Sequence, residues 1–337
     1  MDSSENSGSN TAAGAVIIGR NEGERLKRCL RSALAQVDAI VYVDSGSSDG
    51  SVDFARSLGI EALPLDMSLP FSAGRARNEG AALLRVKYPR IGYIQFIDGD
   101  CELCEGWIAA ARGFLDDSRS HAIVAGRLKE RFPERTIYNG LCDIEWATPP
   151  GETRSCGGIF MIRAGDFSSV GGFNATMIAG EEPELCFRIR AAGGRIFAID
   201  RPMAFHDADI RRFSQWWKRK VRSGYAYANA CRLHRGEPGG GYHGRQTTRI
   251  WLWAFAIPLL AAIGASALGP WALVVLLLYP IQAFRAFISA PRGIRETGIA
   301  LPYALFSVLE KFPCFIGQLV YVKRSILSET AKIIEYK

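Results

Sequence analysis

The chain has 337 residues, of which 48% are apolar, and a formal net charge of +7. That apolar content excludes a wholly disordered polypeptide and suffices for one large domain with an attachment. Eight cysteines include a lone C-x-x-C, Cys101 and Cys104, with no second pair at metal-ligand spacing, so structural zinc is not expected and the thiols read as reduced.

In chain order, Met1 to Ala13 is rich in Ser, Asn and Gly and is expected to be disordered. It lacks the basic, apolar and cleavage-site order of a secretory signal, so the chain up to about Arg249 is expected in the cytosol. Next come a strand "AGAVIIG" (13–19), a helix "EGERLKRCLRSALAQ" (22–36), a strand "AIVYVD" (39–44) and a helix "SVDFARSLG" (51–59). A helix "AGRARNEGAALLRV" (73–86) and a strand "YIQFID" (93–98) follow. This alternation predicts a parallel sheet with crossover helices, whose ligands bind beyond the carboxyl ends of the strands. Arg20-Asn21-Glu22, Asp44 and the Asp98/Asp100 pair stand at three such ends. From about 121 to 206 the pattern is mixed, with strands near 122–128, 157–163 and 195–199 and a short helix at 183–192. Pro183 and Gly193 bracket that helix, and Gly157-Gly158 enter a strand where backbone can approach a ligand closely.

The segment "RRFSQWWKRKVR" (211–222) has six basic residues, no acid and the paired Trp216 and Trp217. Nucleic-acid binding is one reading of it. Its position before an apolar region favours anionic headgroups or a phosphate, with the tryptophans at the membrane interface. From Ile250 to Phe284 there is no Asp, Glu, Lys or Arg. A single helix of that length would reach ~52 Å against a bilayer core of ~30 Å. Two membrane helices are therefore expected, about 250–268 and 271–290, broken at Gly269-Pro270. A third apolar stretch, Ile299 to Val322, contains Glu310-Lys311 and two prolines. Arg292 and Arg295 precede it and Lys323 and Arg324 follow it, so both flanks favour the cytosol and the stretch is expected to lie in or re-enter the interface. The expected organisation is a disordered 1–13, a domain over 14–235, a linker over 236–249, membrane-associated helices over 250–322 and a cytosolic tail over 323–337.

Two carboxylates closing an apolar strand, Asp98 and Asp100, repel one another unless a cation joins them. Hard oxygen donors there suit Mg²⁺ or Mn²⁺, which complete their coordination with substrate phosphates. Arg75, Arg77 and Asn78 lie on the first turns of one helix. Glu181 and Glu182 stand where a helix's positive end favours an ionised carboxylate, the state a general base needs at neutral pH.

The segments "VIIGRNE", "VYVDSGSSDGS", "GRARNEGA", "FIDGDCEL", "CGGIFMIR", "GEEPELCFRIRAAGG" and "FHD…QWWKRKVRSG", in this order, resemble the inverting glycosyltransferases of family 2 over about residues 14 to 235. The resemblance implies an α/β GT-A fold for nucleotide-diphosphosugars, a Rossmann-like mixed sheet flanked by helices, here followed by C-terminal membrane helices. It makes Asp100 the direct metal ligand, Asp98 a neighbour of the ribose or the metal, and His206 a group approaching the metal or diphosphate. It assigns Asp44 to the nucleobase (with Ser45 where many relatives have a second Asp), Arg20 and Glu22 to base and ribose, and Arg77 and Asn78 to the nucleotide or diphosphate. Glu182 replaces the family's catalytic Asp and is one methylene longer. Glu181, Gly157, Gly158, Trp216, Trp217, Arg219 and Arg222 are assigned to the acceptor and membrane side, while Trp107, Trp146 and Cys156 read as packing.

The implied reaction moves a sugar from a nucleotide-diphosphosugar to a hydroxyl of a membrane-associated, polyprenyl-diphosphate-linked glycan in surface polysaccharide synthesis. The implied location is the cytoplasmic membrane, with the catalytic domain facing the cytosol. Transfer directly to polyprenyl phosphate and a non-catalytic nucleotide-sugar-binding membrane scaffold are the alternatives. Nucleic acid is not an expected partner, because it leaves the carboxylates unexplained.

Overall fold

The computed structural model describes residues 12–237, 243–291, 294–295, 298–327 and 334–335. Of the segment expected to be disordered, 1–13, residues up to 11 lie outside the described residues, as do residues 238–242 of the linker, Arg292 and most of the C-terminal tail. Ala12 and Ala13, by contrast, are ordered and begin the first strand, with Ala13 fully buried.

Four strands, β1 (Ala12–Gly19), β2 (Ala39–Asp44), β3 (Glu61–Pro64) and β4 (Ile91–Asp98), pair in parallel in the order β3-β2-β1-β4. Helices α1 (Glu24–Leu34), α2 (Ser51–Ser57) and α3 (Ala73–Lys87) make the crossovers. Every residue of β2 is buried, as a strand covered on both faces requires. A Cβ at Gly80 of α3 would lie 2.6 Å from Val16 and 2.7 Å from Val43, so this glycine lets α3 rest directly on β1 and β2. Register pairs Gly19 with Asp44 and Ile18 with Asp98, which brings three strand ends to one edge.

Beyond β4 the sheet becomes mixed. Strands β5 (Cys101–Leu103), β6 (His121–Glu130), β7 (Gly151–Glu152), β8 (Phe160–Arg163) and β9 (Arg195–His206) complete nine strands in the order β3-β2-β1-β4-β8-β6-β9-β5, with β7 on β9. Helices α4 (Trp107–Asp117), α5 (Ile137–Trp146), α6 (Ala164–Ser169), α7 (Glu181–Ala191) and α8 (Phe213–Leu233) flank it. The strand expected from 157 starts only at Phe160, because Gly157 turns the chain with a positive φ of 80°. The helix expected from 183 starts at Glu181, after a left-handed Gly180. Pro183 is tolerated inside its first turn, where N–H groups have no intrahelical acceptor to lose.

Three C-terminal helices are long and apolar enough to cross a membrane: α9 (Gly244–Leu268), α10 (Pro270–Ile288) and α11 (Ala300–Ile326). The expected break at Gly269-Pro270 is present, with Gly269 at φ 91°. α9 widens into a π turn at Leu252–Ala256 just before Pro258, and α10 opens as a tight 3-10 stretch before Pro280. Both irregularities adjoin a residue that cannot donate a backbone hydrogen bond.

The stretch expected to lie in the interface is a 27-residue helix, α11, whose C-terminal half packs along α8. Gly224 of α8 and Gly317 of α11 let the two backbones meet; a Cβ on either would overlap the other helix's main chain. Trp216, expected at the membrane interface, is instead only 1% exposed and packs edge-on against Phe306 of α11, with centroids 4.7 Å apart. Trp217 is half-buried beside the same cluster. Lys220 pairs with Glu145 of α5 and, at 2.9 Å, with Glu310 of α11. The tryptophan pair thus closes a seam inside the protein.

Gly224→Ala should disrupt this seam, since an added methyl has main chain and no flexible side chain to displace. A destabilisation at the upper end of the ~1–3 kcal/mol typical of overpacking is expected as a lowered Tm in detergent. Gly113→Ala, in open space on α4, is the control that should leave Tm unchanged or higher.

Candidate active site

The carboxyl edge of the parallel strands opens on a cleft of about 780 Å³. Its first wall is the loop after β1. Asn21 sits there at φ 54°, a left-handed conformation that asparagine tolerates better than most residues. Its backbone N–H donates to Ser47 Oγ at 2.9 Å and its side chain accepts from the Ser48 N–H at 2.8 Å, while the Gly23 N–H donates to Asp49. The loops after β1 and β2 are therefore one unit. Arg20 and Glu22 both line the cleft; Arg20 pairs with Glu335 at 2.9 Å and Glu22 with Arg25 at 2.7 Å.

Arg77 crosses the floor from α3. It is 3% exposed and donates from Nη1 to Glu181 Oε1 at 2.8 Å and from Nη2 to Asp98 Oδ1 at 2.6 Å. Its guanidinium also lies against the Phe173 ring, 5.4 Å from the centroid. Burial works against its charge, but Asp98 and Glu181 outweigh that and hold it firmly protonated. For Glu181, burial pushes the pKa up, yet Arg77 and Arg222 together bring it below the ordinary value. For Asp98, burial dominates over Arg77 and the nearby Asp100 adds repulsion, so its pKa is raised. Gly158 leaves room for this arrangement, because a Cβ there would lie 3.0 Å from Asp98 Oδ2.

Asp100 is buried one residue beyond Gly99, whose N–H donates to the Ile18 carbonyl. His206 Nε2 lies 3.5 Å from Asp100 Oδ1, and the two residues with Cys101 form a group close enough to share one ion. Carboxylate and imidazole are donors that Mg²⁺ or Mn²⁺ accept. Trp146, read as packing, sets its ring at a tilt against that of His206, with centroids 4.2 Å apart. Glu130 lies 4.0 Å from His206 Nδ1, and burial pushes its pKa up to about 7.

Glu182 opens on the other side of the cleft and is 7% exposed. Its Oε1 accepts from the Cys156 N–H at 2.7 Å, the Cys156 thiol at 3.2 Å and the Cys186 thiol at 3.0 Å. No hydrogen bond from a described residue reaches Oε2. Burial raises the Glu182 pKa more than these donors lower it, and Glu181 adds to the rise. Cys156 is thus more than packing. Cys186 went unnoticed in the sequence, although its position four residues after Glu182 on one helix face was the available signal. Glu130 had no such signal, since β9 brings His206 to it from 76 positions away.

The remaining expected residues divide. Arg219 and Arg222 line the cleft from α8, and Arg219 also pairs with Glu145 at 2.6 Å. Asp44 does not line the cleft. Its carboxylate accepts from the Tyr42 hydroxyl at 2.8 Å and from the N–H groups of Gly46 and Ser47 at 3.0 and 2.8 Å, and Ser45 faces the cleft instead. Asn78 is likewise turned away, exchanging two 2.8 Å hydrogen bonds with the Phe173 backbone. Gly157, Trp216 and Trp217 lie outside the lining. Trp107 is a core residue whose indole donates to Gln95.

Residues 15–167 match the family described as glycosyl transferase family 2. Over 235 residues the chain is 28% identical to a pre-mycofactocin glycosyltransferase of Mycobacterium tuberculosis, covering 65% of this chain and 47% of that protein. Over 112 residues it is 37% identical to a TPR repeat-containing protein of Synechococcus elongatus, covering 33% and 26% respectively. The chain thus spans half or less of the curated relatives it matches. Among solved structures, the mannosyltransferase PcManGT of Pyrobaculum calidifontis, in complex with GDP-mannose and Mn²⁺, superposes with a TM-score of 0.55 at 17% identity, covering 92% of this chain and 87% of that one. TarS of S. aureus (residues 1–349) gives 0.50 at 12% identity, covering 93% and 91%. The mixed α/β sheet with flanking helices is that of the GT-A glycosyltransferases, and the matched segment supports family 2.

Removing the buried cation that joins buried Glu181 to half-buried Asp98 should be costly. Arg77→Ala is expected to lose about 3–5 kcal/mol of folding stability, measured as a fall in Tm in detergent. Arg77→Lys should recover part of it, because an ammonium keeps the charge without the fork that reaches both carboxylates.

Proposed function

We propose that this chain transfers a glycosyl group from a nucleoside-diphosphosugar to a hydroxyl of a membrane-associated, polyprenyl-diphosphate-linked glycan, with inversion at the anomeric carbon. The observation that carries this reading is one cleft with two kinds of carboxylate. Asp98 and Asp100 stand beside a cation and an imidazole, whereas Glu182 has one oxygen held and the other without a donor among the described residues. Beside them the family match supports the donor class, and the mannosyltransferase with the same fold was solved with GDP-mannose and Mn²⁺.

Glu182 Oε2 accepts the proton of the acceptor hydroxyl as its oxygen forms a bond to the anomeric carbon. The bond from that carbon to the nucleoside diphosphate breaks on the opposite face, and its electron pair leaves with the diphosphate. Asp100, with Asp98 and His206, would hold Mg²⁺ or Mn²⁺, which when bound offsets the charge of the leaving diphosphate. Arg77 keeps Asp98 oriented and Glu181 ionised. The amide and two thiols on Oε1 restrain the carboxylate and partly offset the burial that raises its pKa. Arg219 and Arg222 enter from α8, the helix to which α11 is clamped, which suits an acceptor carried by the cytoplasmic membrane with the catalytic domain on its cytosolic side.

Nucleoside-diphosphate release from a panel of donors, with membrane lipid extract as acceptor and with or without Mn²⁺, tests the reaction. Asp100→Ala should abolish metal-dependent turnover. Glu182→Gln should keep donor binding and lose transfer by about 10²–10⁴-fold; full activity in this variant would remove the base assignment. A donor that is consumed only with bare polyprenyl phosphate would make that lipid the acceptor.

The pH profile carries a separate prediction. The base must be ionised and its pKa is raised, so the rate should fall as pH drops through that raised value. Cys186→Ala removes a donor to the ionised form and should move the acid limb to higher pH. Cys186→Ser keeps an O–H donor and should move it less. An acid limb unmoved in Cys186→Ala would show that the thiol does not act on the carboxylate.

A further inference from the structure

Each of the three apolar helices carries a polar stripe. On α9 it is Gln246, Arg249 and Trp253; on α10 it is Gln282 and Arg285, continued by Ser289; on α11 it is Tyr303, Ser307 and Glu310. The spacings of three, four and seven put each set on one helical face. The structure turns all three stripes toward one another around a partly open cavity of about 750 Å³, also lined by Lys311. Ligand pockets typically span about 300–1,000 Å³.

The charges in this cavity do not balance. Glu310 is its acid among the described lining residues, and that carboxylate is already shared between Lys220 at 2.9 Å and Lys311 at 2.7 Å. Arg249 and Arg285 form no hydrogen bond or ion pair with any described residue. Basic groups at the ends of membrane helices commonly point outward to lipid headgroups, scattered around the helix. Here Arg249 and Arg285, although exposed, line the same partly open cavity as amides, hydroxyls and two aromatic rings, a convergence of the kind that marks a ligand path. Two unengaged guanidinium forks are matched by the tetrahedral oxygens of phosphate.

We propose that this cavity binds a phosphate or diphosphate group, presented by a lipid headgroup or free in solution. It is separate from the nucleotide cleft but mechanically joined to it. Glu310 on its wall is paired with Lys220, the neighbour in sequence of Arg219, which lines the cleft. The inference rests on the three stripes and not on the transfer reaction, so the two can fail independently.

The test is isothermal titration of the full-length protein in maltoside micelles, which contain no phosphate. The probes are undecaprenyl phosphate, phosphatidylglycerol and inorganic diphosphate. At least one should bind, and the paired substitution Arg249→Gln with Arg285→Gln should weaken its affinity at least tenfold. Arg245→Gln, an exposed charge on the same helix outside the cavity, should leave it unchanged. Arg285→Lys, the milder variant, should give a smaller loss at an unchanged Tm. Binding of the polyprenyl lipid alone assigns the site to that headgroup class, equal binding of phosphatidylglycerol to phospholipid headgroups, and binding of inorganic diphosphate to the anionic group itself. No binding of any probe, or an equal loss in Arg245→Gln, would overturn the proposal.

Discussion

The Arg77 guanidinium holds together an edge that would otherwise come apart. β4 and α7 both deliver a carboxylate to the same small volume, a half-buried Asp98 from one and a buried Glu181 from the other. Two such anions without a counter-charge repel one another and lose hydration that nothing replaces. Arg77 reaches both with one planar group, and its position depends on how α3 is seated. Gly80 brings α3 onto β1 and β2, Asn78 ties it to the Phe173 backbone, and the Phe173 ring lies against the guanidinium. The glycines and amide that look unremarkable in the sequence therefore set where one cation sits.

That cation also separates the roles of the acids. Glu181, next to Arg77 and Arg222, is stabilised in its charged form, so a fixed negative charge stands beside Glu182. The same charge, with burial, pushes Glu182 the other way. Adjacent glutamates on one helical turn thus have their pKa values moved in opposite directions by their contacts. The three donors on Glu182 Oε1 keep the upward shift within bounds and fix the rotamer, which leaves one definite oxygen toward the cleft. Thiols suit this position because they donate weakly in a dry site, while their own raised pKa values keep both protonated.

The sequence made the strand ends legible, because apolar runs that stop at a charged residue are a one-dimensional signal. Asp98 and Asp100 reached the cleft for that reason, whereas Arg77 and Glu182 were legible from their places in the first turns of α3 and α7. Asp44 obeyed the same rule and still turned away, since its carboxylate caps its own turn and takes the Tyr42 hydroxyl. A strand end specifies where a side chain starts, whereas the donors around it decide where it points. Trp216 failed differently: a basic, aromatic helix reads alike whether its aromatic face meets lipid or another helix. The partner, α11, lies about 90 residues on and was read as a separate interfacial segment. Short elements such as β5, with three residues, carry no periodicity at all, and their place is set by pairing with β9.

The seam between α8 and α11 is more specific than its apolar contacts require. Lys220 is buried and meets the more exposed Glu145 and Glu310, an arrangement that seldom adds stability over a hydrophobic replacement because the lysine must be dehydrated. Such a cluster does penalise every misaligned docking, since a shift of one turn would strand a buried charge. Gly224 and Gly317 impose the same register sterically. One face of α8 is therefore fixed against a helix of membrane-spanning length while another gives Arg219 and Arg222 to the cleft. Any movement of α11 relative to the sheet must carry those two arginines with it, so the apolar helices act on the cleft as a rigid frame, not as a flexible tether.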